Sequence, residues 1–100
     1  MEAAKVKIAW TRKASRHLRD AYNFWADERS LRDARIMLDR IFAAVEVLET
    51  FPEAGRRGRI AGMRELVVVP TPFVIAHRVR RGKIEVLTLL HSSRKWPEKF

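Results

Sequence analysis

One hundred residues, 47% apolar and 9% aromatic, suffice for one domain built around one modest core. Cysteine is absent, which excludes a disulfide framework and a thiolate metal site and suits a reducing compartment. The net charge of +9 is lopsided: residues 1–50 hold ten Lys/Arg against eight Asp/Glu, residues 51–100 eleven against four, so the second half projects a field that draws in nucleic acid, anionic membrane or acidic protein.

The N-terminus lacks the continuous apolar run of a signal peptide. No stretch approaches the roughly 20 apolar residues that span a bilayer. A cytoplasmic protein with no membrane partner is expected.

Residues 5–10, KVKIAW, alternate, with Val6, Ile8 and Trp10 on one face, and read as a half-buried strand. Thr11 is a candidate N-cap. Ala14, Leu18, Ala21, Tyr22 and Trp25 then recur at helical spacing, predicting a helix over about residues 12–27. Ser30 with Asp33 three residues later resembles a capping box and starts a second helix. Its stripe is Ala34, Leu38, Ile41, Val45 and Leu48, widened by Met37, Phe42 and Ala44, and Pro52 ends it.

The stretch GRRGRIAGMREL follows, residues 55–66, and then ELVVV reads as a strand interrupted by PTP. FVIAHRV and IEVLTLLH are two more β runs, joined across Arg80–Lys83 by a turn in which Gly82 supplies a positive φ. The three strands are expected to form an antiparallel meander. A helical hairpin with one apolar face needs a sheet to cover it. The expected fold class is therefore α+β, a two-layer sandwich of order β-α-α-β-β-β with the helical hairpin on an antiparallel sheet.

GRRGRIAGMREL is no phosphate loop. It lacks the lysine and hydroxyl of a P-loop and lies between a helix and a strand, the reverse of the order that aims helix amides at a phosphate. Its glycines are expected to permit turns, and Arg56, Arg57 and Arg59 to form an exposed basic rim. Arg64 opens the strand with Glu65 on its opposite side, and a structural ion pair is the plain reading of either.

His91 closes the last strand and Arg94 follows it three residues on. An imidazole to move a proton and a guanidinium to hold charge would serve phosphodiester cleavage. Simple alternation puts His91 on the face of Glu85, Leu87 and Leu89, where a partly buried, hydrogen-bonded ring is the alternative. His17, His77 and His91 show no metal-ligand spacing, so no metal site or cofactor is expected. The aromatics mostly fit core positions rather than a base-stacking platform.

In chain order, IAWTRKASRHL, LETFPEAGRRGRIAGMRELVV, TPFVIAHRV and IEVLTLLHSSRKWP together resemble the RelE/ParE superfamily of toxins from type II toxin-antitoxin modules. The resemblance covers nearly the whole chain and implies the same strand, helical hairpin and sheet. RelE-like members are ribosome-dependent messenger RNA endonucleases; ParE-like members poison DNA gyrase without a nuclease site. Where the ribonucleases carry an arginine in the middle strand this chain has Phe73 and Val74, and where they carry basic residues in the preceding strand it has LVVV. The resemblance therefore implies the ParE-like branch: a toxin that binds its target, DNA gyrase, is held by a cognate acidic antitoxin, and meets DNA only through the antitoxin complex. Two features depart from the pattern: His77 stands where a tyrosine is more usual, and the PTP segment leaves the register open by a residue or two.

The implied target-binding residues are Arg56, Arg57, Arg59, Arg64, Arg94 and Trp96, with no catalytic residue assigned. The second reading is a RelE-like endonuclease using His91, with Arg64 or Arg94 as charge stabiliser.

Overall fold

The computed structural model describes residues 6–91. In chain order these form β1 (Lys7–Trp10), α1 (Arg12–Glu28), α2 (Leu31–Thr50), β2 (Arg56–Arg57), β3 (Arg64–Val67), β4 (Phe73–Arg80) and β5 (Lys83–His91). The two helices cover one face of a five-stranded sheet of order β1-β5-β4-β3-β2.

Local chemistry sets the helix boundaries. The Thr11 hydroxyl accepts from the Ala14 amide at 3.0 Å and donates to the Leu87 carbonyl at 2.9 Å, so one side chain caps α1 and ties its start to β5. Ser30 caps α2 by accepting from the Asp33 amide at 3.0 Å. Between the helices, the amides of Arg29 and Ser30 both bond the Trp25 carbonyl, and the Arg29 guanidinium lies 4.3 Å above the Trp25 ring centre.

Helix α2 buries Ala34, Met37, Ile41, Val45 and Leu48. The expected stripe had Leu38 at its centre and Met37 at its margin, and the structure exchanges them. Positions 34, 37, 41, 45 and 48 follow the i, i+3, i+4 rhythm, whereas Leu38 and Phe42 lie about 100° further round the helix. Phe42 is accordingly exposed, with its ring edge-on to Trp10 at 5.9 Å.

The sheet differs from the expected one in two ways. Strand β1 runs parallel to β5, pairing Ile8 with Ile84 and Trp10 with Val86, so the sheet is mixed. Parallel neighbours need a crossover, and here nearly the whole chain separates them. Arg56 and Arg57 also form a short edge strand against β3, making five strands rather than four.

The β4–β5 turn is as expected, with Arg81 and Gly82 both at positive φ, 52° and 72°, the twist that closes a two-residue hairpin. Further along this ladder a bulge shifts the register, for Ala76 pairs with Thr88 but His77 with Val86. Val86 and Leu89, three residues apart, consequently share the main core under the helices with Met37, Ile41, Phe73 and Ile75. Leu87 turns instead to a second cluster with Ala76 and Met63, covered by Ile60. Strand alternation places that cluster on the sheet face away from the helices, where part of the arginine-rich loop closes over it.

Candidate binding surface

Two glycines let the arginine-rich loop lie flat on the sheet. Gly55 has φ +98°, and a Cβ there would meet the Glu65 carbonyl oxygen at 2.4 Å; one on Gly58 would meet the Met63 carbonyl at 2.7 Å. The Gly58 amide bonds that same Met63 carbonyl. The loop therefore carries two arginines to Glu65. Arg56 Nε donates to Glu65 Oε1 at 3.0 Å, the Arg59 amide donates to Oε2 at 3.1 Å, and Arg59 Nε stands 3.9 Å from Oε2. The Glu65 side chain is 3% exposed and both arginine side chains 57%, so a buried carboxylate is neutralised from the surface.

Exposure of Arg56 and Arg59 was legible in sequence, but their hold on Glu65 was not. The available signal was a single acid within a basic stretch. A structural ion pair was the plain reading of Arg64 and of Glu65 alike; Glu65 makes one, with Arg56 and Arg59, and Arg64 makes none among the described residues.

Arg57 and Arg64 are placed differently. They face one another across the β2–β3 ladder, an arrangement that like charges disfavour, and among the described residues neither makes an ion pair. Both line a cleft of 210 Å³ with Pro52, Glu53 and Met63. A larger cavity of 690 Å³ is walled by the Thr50–Ala54 turn and Val79. Pro52, Glu53 and Val79 belong to both, making one groove that is apolar at Phe51 and Val79 and cationic at Arg57 and Arg64.

His77 sits beneath this groove. It is fully buried, and its Nε2 lies 3.0 Å from the Ala54 carbonyl. That distance makes Nε2 the donor and leaves Nδ1 bare, without a partner. Burial lowers its pKa; the Ala54 bond opposes this and nearby Arg64 reinforces it. The bond pins the turn after α2 to β4.

At the far end of the sheet, His91 lies across from Phe73, with ring centres 5.7 Å apart. It lines a 530 Å³ cavity with His17, Asp20, Phe24 and Trp25 of α1. The bulge corrects its expected face: His91 is in phase with Leu89 and not with Glu85 or Leu87. His17 Nδ1 lies 2.7 Å from the Thr88 hydroxyl, and its pKa is lowered by burial and then by Lys13 and Arg16. Arg64 pairs with His77 and His91 with Phe73, four residues or roughly 14 Å apart along β4. The structure does not bring His91 and Arg64 together. Arg94 and Trp96 lie outside the described residues, and among those described no group of three His, Cys, Asp or Glu side chains could hold a metal ion. No helix among them is long and apolar enough to cross a membrane.

Two helices packed on a five-stranded mixed sheet form an α+β class already seen in a solved toxin-antitoxin system. The fold matches "Chromosomal ParDE TA system from P. aeruginosa" with a TM-score of 0.80 at 25% identity, over 89% of this chain and 98% of that one. The model of the family "ParE toxin of type II toxin-antitoxin system, parDE" matches residues 8–96. The chain is also 35% identical over 95 residues to "Putative toxin Y4kP" of Sinorhizobium fredii, covering 95% of this chain and 97% of that protein. The chain belongs to the ParE toxin family. It is a ParE-type toxin of a toxin-antitoxin system, and the family implies an antitoxin partner.

Proposed function

We propose that this toxin arrests growth by binding and inhibiting DNA gyrase in the cytoplasm, and that a cognate acidic antitoxin neutralises it. The observation that carries this reading is the separation of His91 from Arg64. A general acid and the guanidinium that holds developing charge must both reach one phosphate, and roughly 14 Å of β4 lies between these two. Phe73 and Val74, where ribonucleases of the superfamily place an arginine, are 6% and 1% exposed, so these positions face the interior.

Positive charge remains available for binding. Arg57 and Arg64 are unpaired among the described residues, and the side chains of Arg56 and Arg59 stay more than half exposed while holding Glu65. Arg94 and Trp96 complete the proposed target-binding set. DNA enters only through the antitoxin complex.

The test is a pair of assays on the purified toxin. Inhibition of gyrase supercoiling with messages on translating ribosomes left intact is the expected result. Message cleavage with unimpaired supercoiling overturns the proposal in favour of the endonuclease.

A further inference from the structure

We propose that the 530 Å³ cavity between α1 and the Phe73 and His91 ends of β4 and β5 binds a small, neutral, planar heteroaromatic molecule of the nucleobase or nucleoside class. This goes beyond the toxin reading and does not depend on it.

The walls set the shape of the ligand. The volume falls within the roughly 300–1,000 Å³ of small-molecule sites. Phe24 and Trp25 of α1 and Phe73 of β4 line the cavity. The Trp25 and Phe73 rings lie 6.0 Å apart with 46° between their planes, and Phe73 and His91 stand edge to face at 5.7 Å and 81°. Rings inclined in this way offer a flat guest both stacking and edge contacts. Phe24 is 57% exposed, so a guest that covers it also removes apolar surface from water.

The polar groups narrow the class further. His17, Asp20 and His91 line the same cavity, and a pure hydrocarbon would cover them without returning hydrogen bonds. A cation is disfavoured by the local potential. The pKa of His17 is lowered first by burial and then by Lys13 and Arg16, each of which outweighs the opposing effect of Asp20. An anion would meet the Asp20 carboxylate. What satisfies all of these is a neutral ring that donates an amino hydrogen to Asp20 and shares a ring-nitrogen hydrogen bond with an imidazole. Nucleobases carry both groups on a flat frame. A base within a single strand offers the same ring, so the test separates that source from the free molecule.

The test is an NMR titration of the full chain with adenosine, followed at backbone amides and at the Trp25 indole. Benzyl alcohol, benzoate and phenyltrimethylammonium serve as ring controls that are, in turn, neutral without ring nitrogen, anionic and cationic. A short single-stranded oligodeoxyadenylate forms the fifth arm. The expected result is saturable shifts at Trp25, Phe73 and Leu89, with each control ring binding about tenfold more weakly. Asp20→Asn and Phe24→Ser, exposed changes whose fold is checked by circular dichroism, are each expected to weaken adenosine by about fivefold or more. Several results overturn the proposal: no saturable shift at about 10 mM adenosine, shifts centred on another surface, a control ring that binds as well, or unchanged affinity in both variants. Tighter binding of the oligonucleotide than of adenosine overturns the assignment to a free small molecule. Gyrase supercoiling is not read in this titration, so failure here leaves the toxin reading untouched.

Discussion

Arg56 and Glu65 stand directly opposite each other at the edge of the sheet, joined by a 3.0 Å bond from Nε to Oε1. Glu65 is the only acid between Glu53 and Glu85, and it is almost fully buried. The pair fastens the loop whose Ile60 and Met63 cover the back of the sheet. A basic segment that reads as a ligand site is thus partly a strap, and only Arg57 and Arg64 are left unpaired among its described neighbours.

Removing the arginine is therefore expected to cost more than neutralising the acid. Arg56→Ala leaves a buried carboxylate short of a donor and lowers unfolding free energy by about 1–2 kcal/mol, discounted because the arginine is more than half exposed. Glu65→Gln, which keeps an acceptor and buries no charge, costs less, and the double variant falls nearer Glu65→Gln than the sum of the two. Urea denaturation reads all three. An unchanged midpoint for Arg56→Ala would show that the strap holds without its ion pair.

Gly55→Ala and Gly62→Ala separate two kinds of strain. Both positions have positive φ, +98° and +83°, but only at Gly55 does a Cβ collide with backbone, 2.4 Å from the Glu65 oxygen. Alanine at Gly62 is expected to lower stability by about 1 kcal/mol through backbone preference alone. At Gly55 the cost is about 2 kcal/mol or more, because β2 must also separate from β3. Thermal melts showing equal losses would contradict this.

His77 gives the fold an acid sensitivity with a definite sign. Its folded pKa is lowered from 6.5, so above that value both folded and unfolded chains hold it neutral and it contributes no pH dependence. As pH falls below 6.5 the unfolded chain takes up a proton that the buried ring resists, and stability declines until the folded pKa is passed. His17, also lowered, acts in the same direction. His77→Gln is expected to flatten, without abolishing, the fall in urea midpoint between about pH 7 and 5. An unaltered slope in that variant would assign the effect elsewhere.

His91→Gln distinguishes binding from catalysis. Under the gyrase reading it changes inhibition by no more than about tenfold, the scale of one interface contact. Under a ribonuclease mechanism it lowers message cleavage by about two orders of magnitude or more. Supercoiling and cleavage assays on the same preparation give the answer.

The chain's local chemistry was enough for the order of every element but the two-residue β2, the caps at Thr11 and Ser30, the end of α2 before Pro52 and the Arg81–Gly82 turn, because each depends on residues within a few positions of one another. Motifs spread along the chain likewise carried the family, since no pairing is needed to recognise them. Tertiary structure decided what depends on register between distant strands. It set β1 parallel to β5, and a single bulge moved His91 out of phase with Glu85, a shift that period-two alternation cannot contain. Register also joined Arg56 to Glu65, set Arg57 against Arg64 and left His91 far from Arg64. In a sheet, one residue of slip reverses every side chain, so which charges meet is fixed only when the strands do.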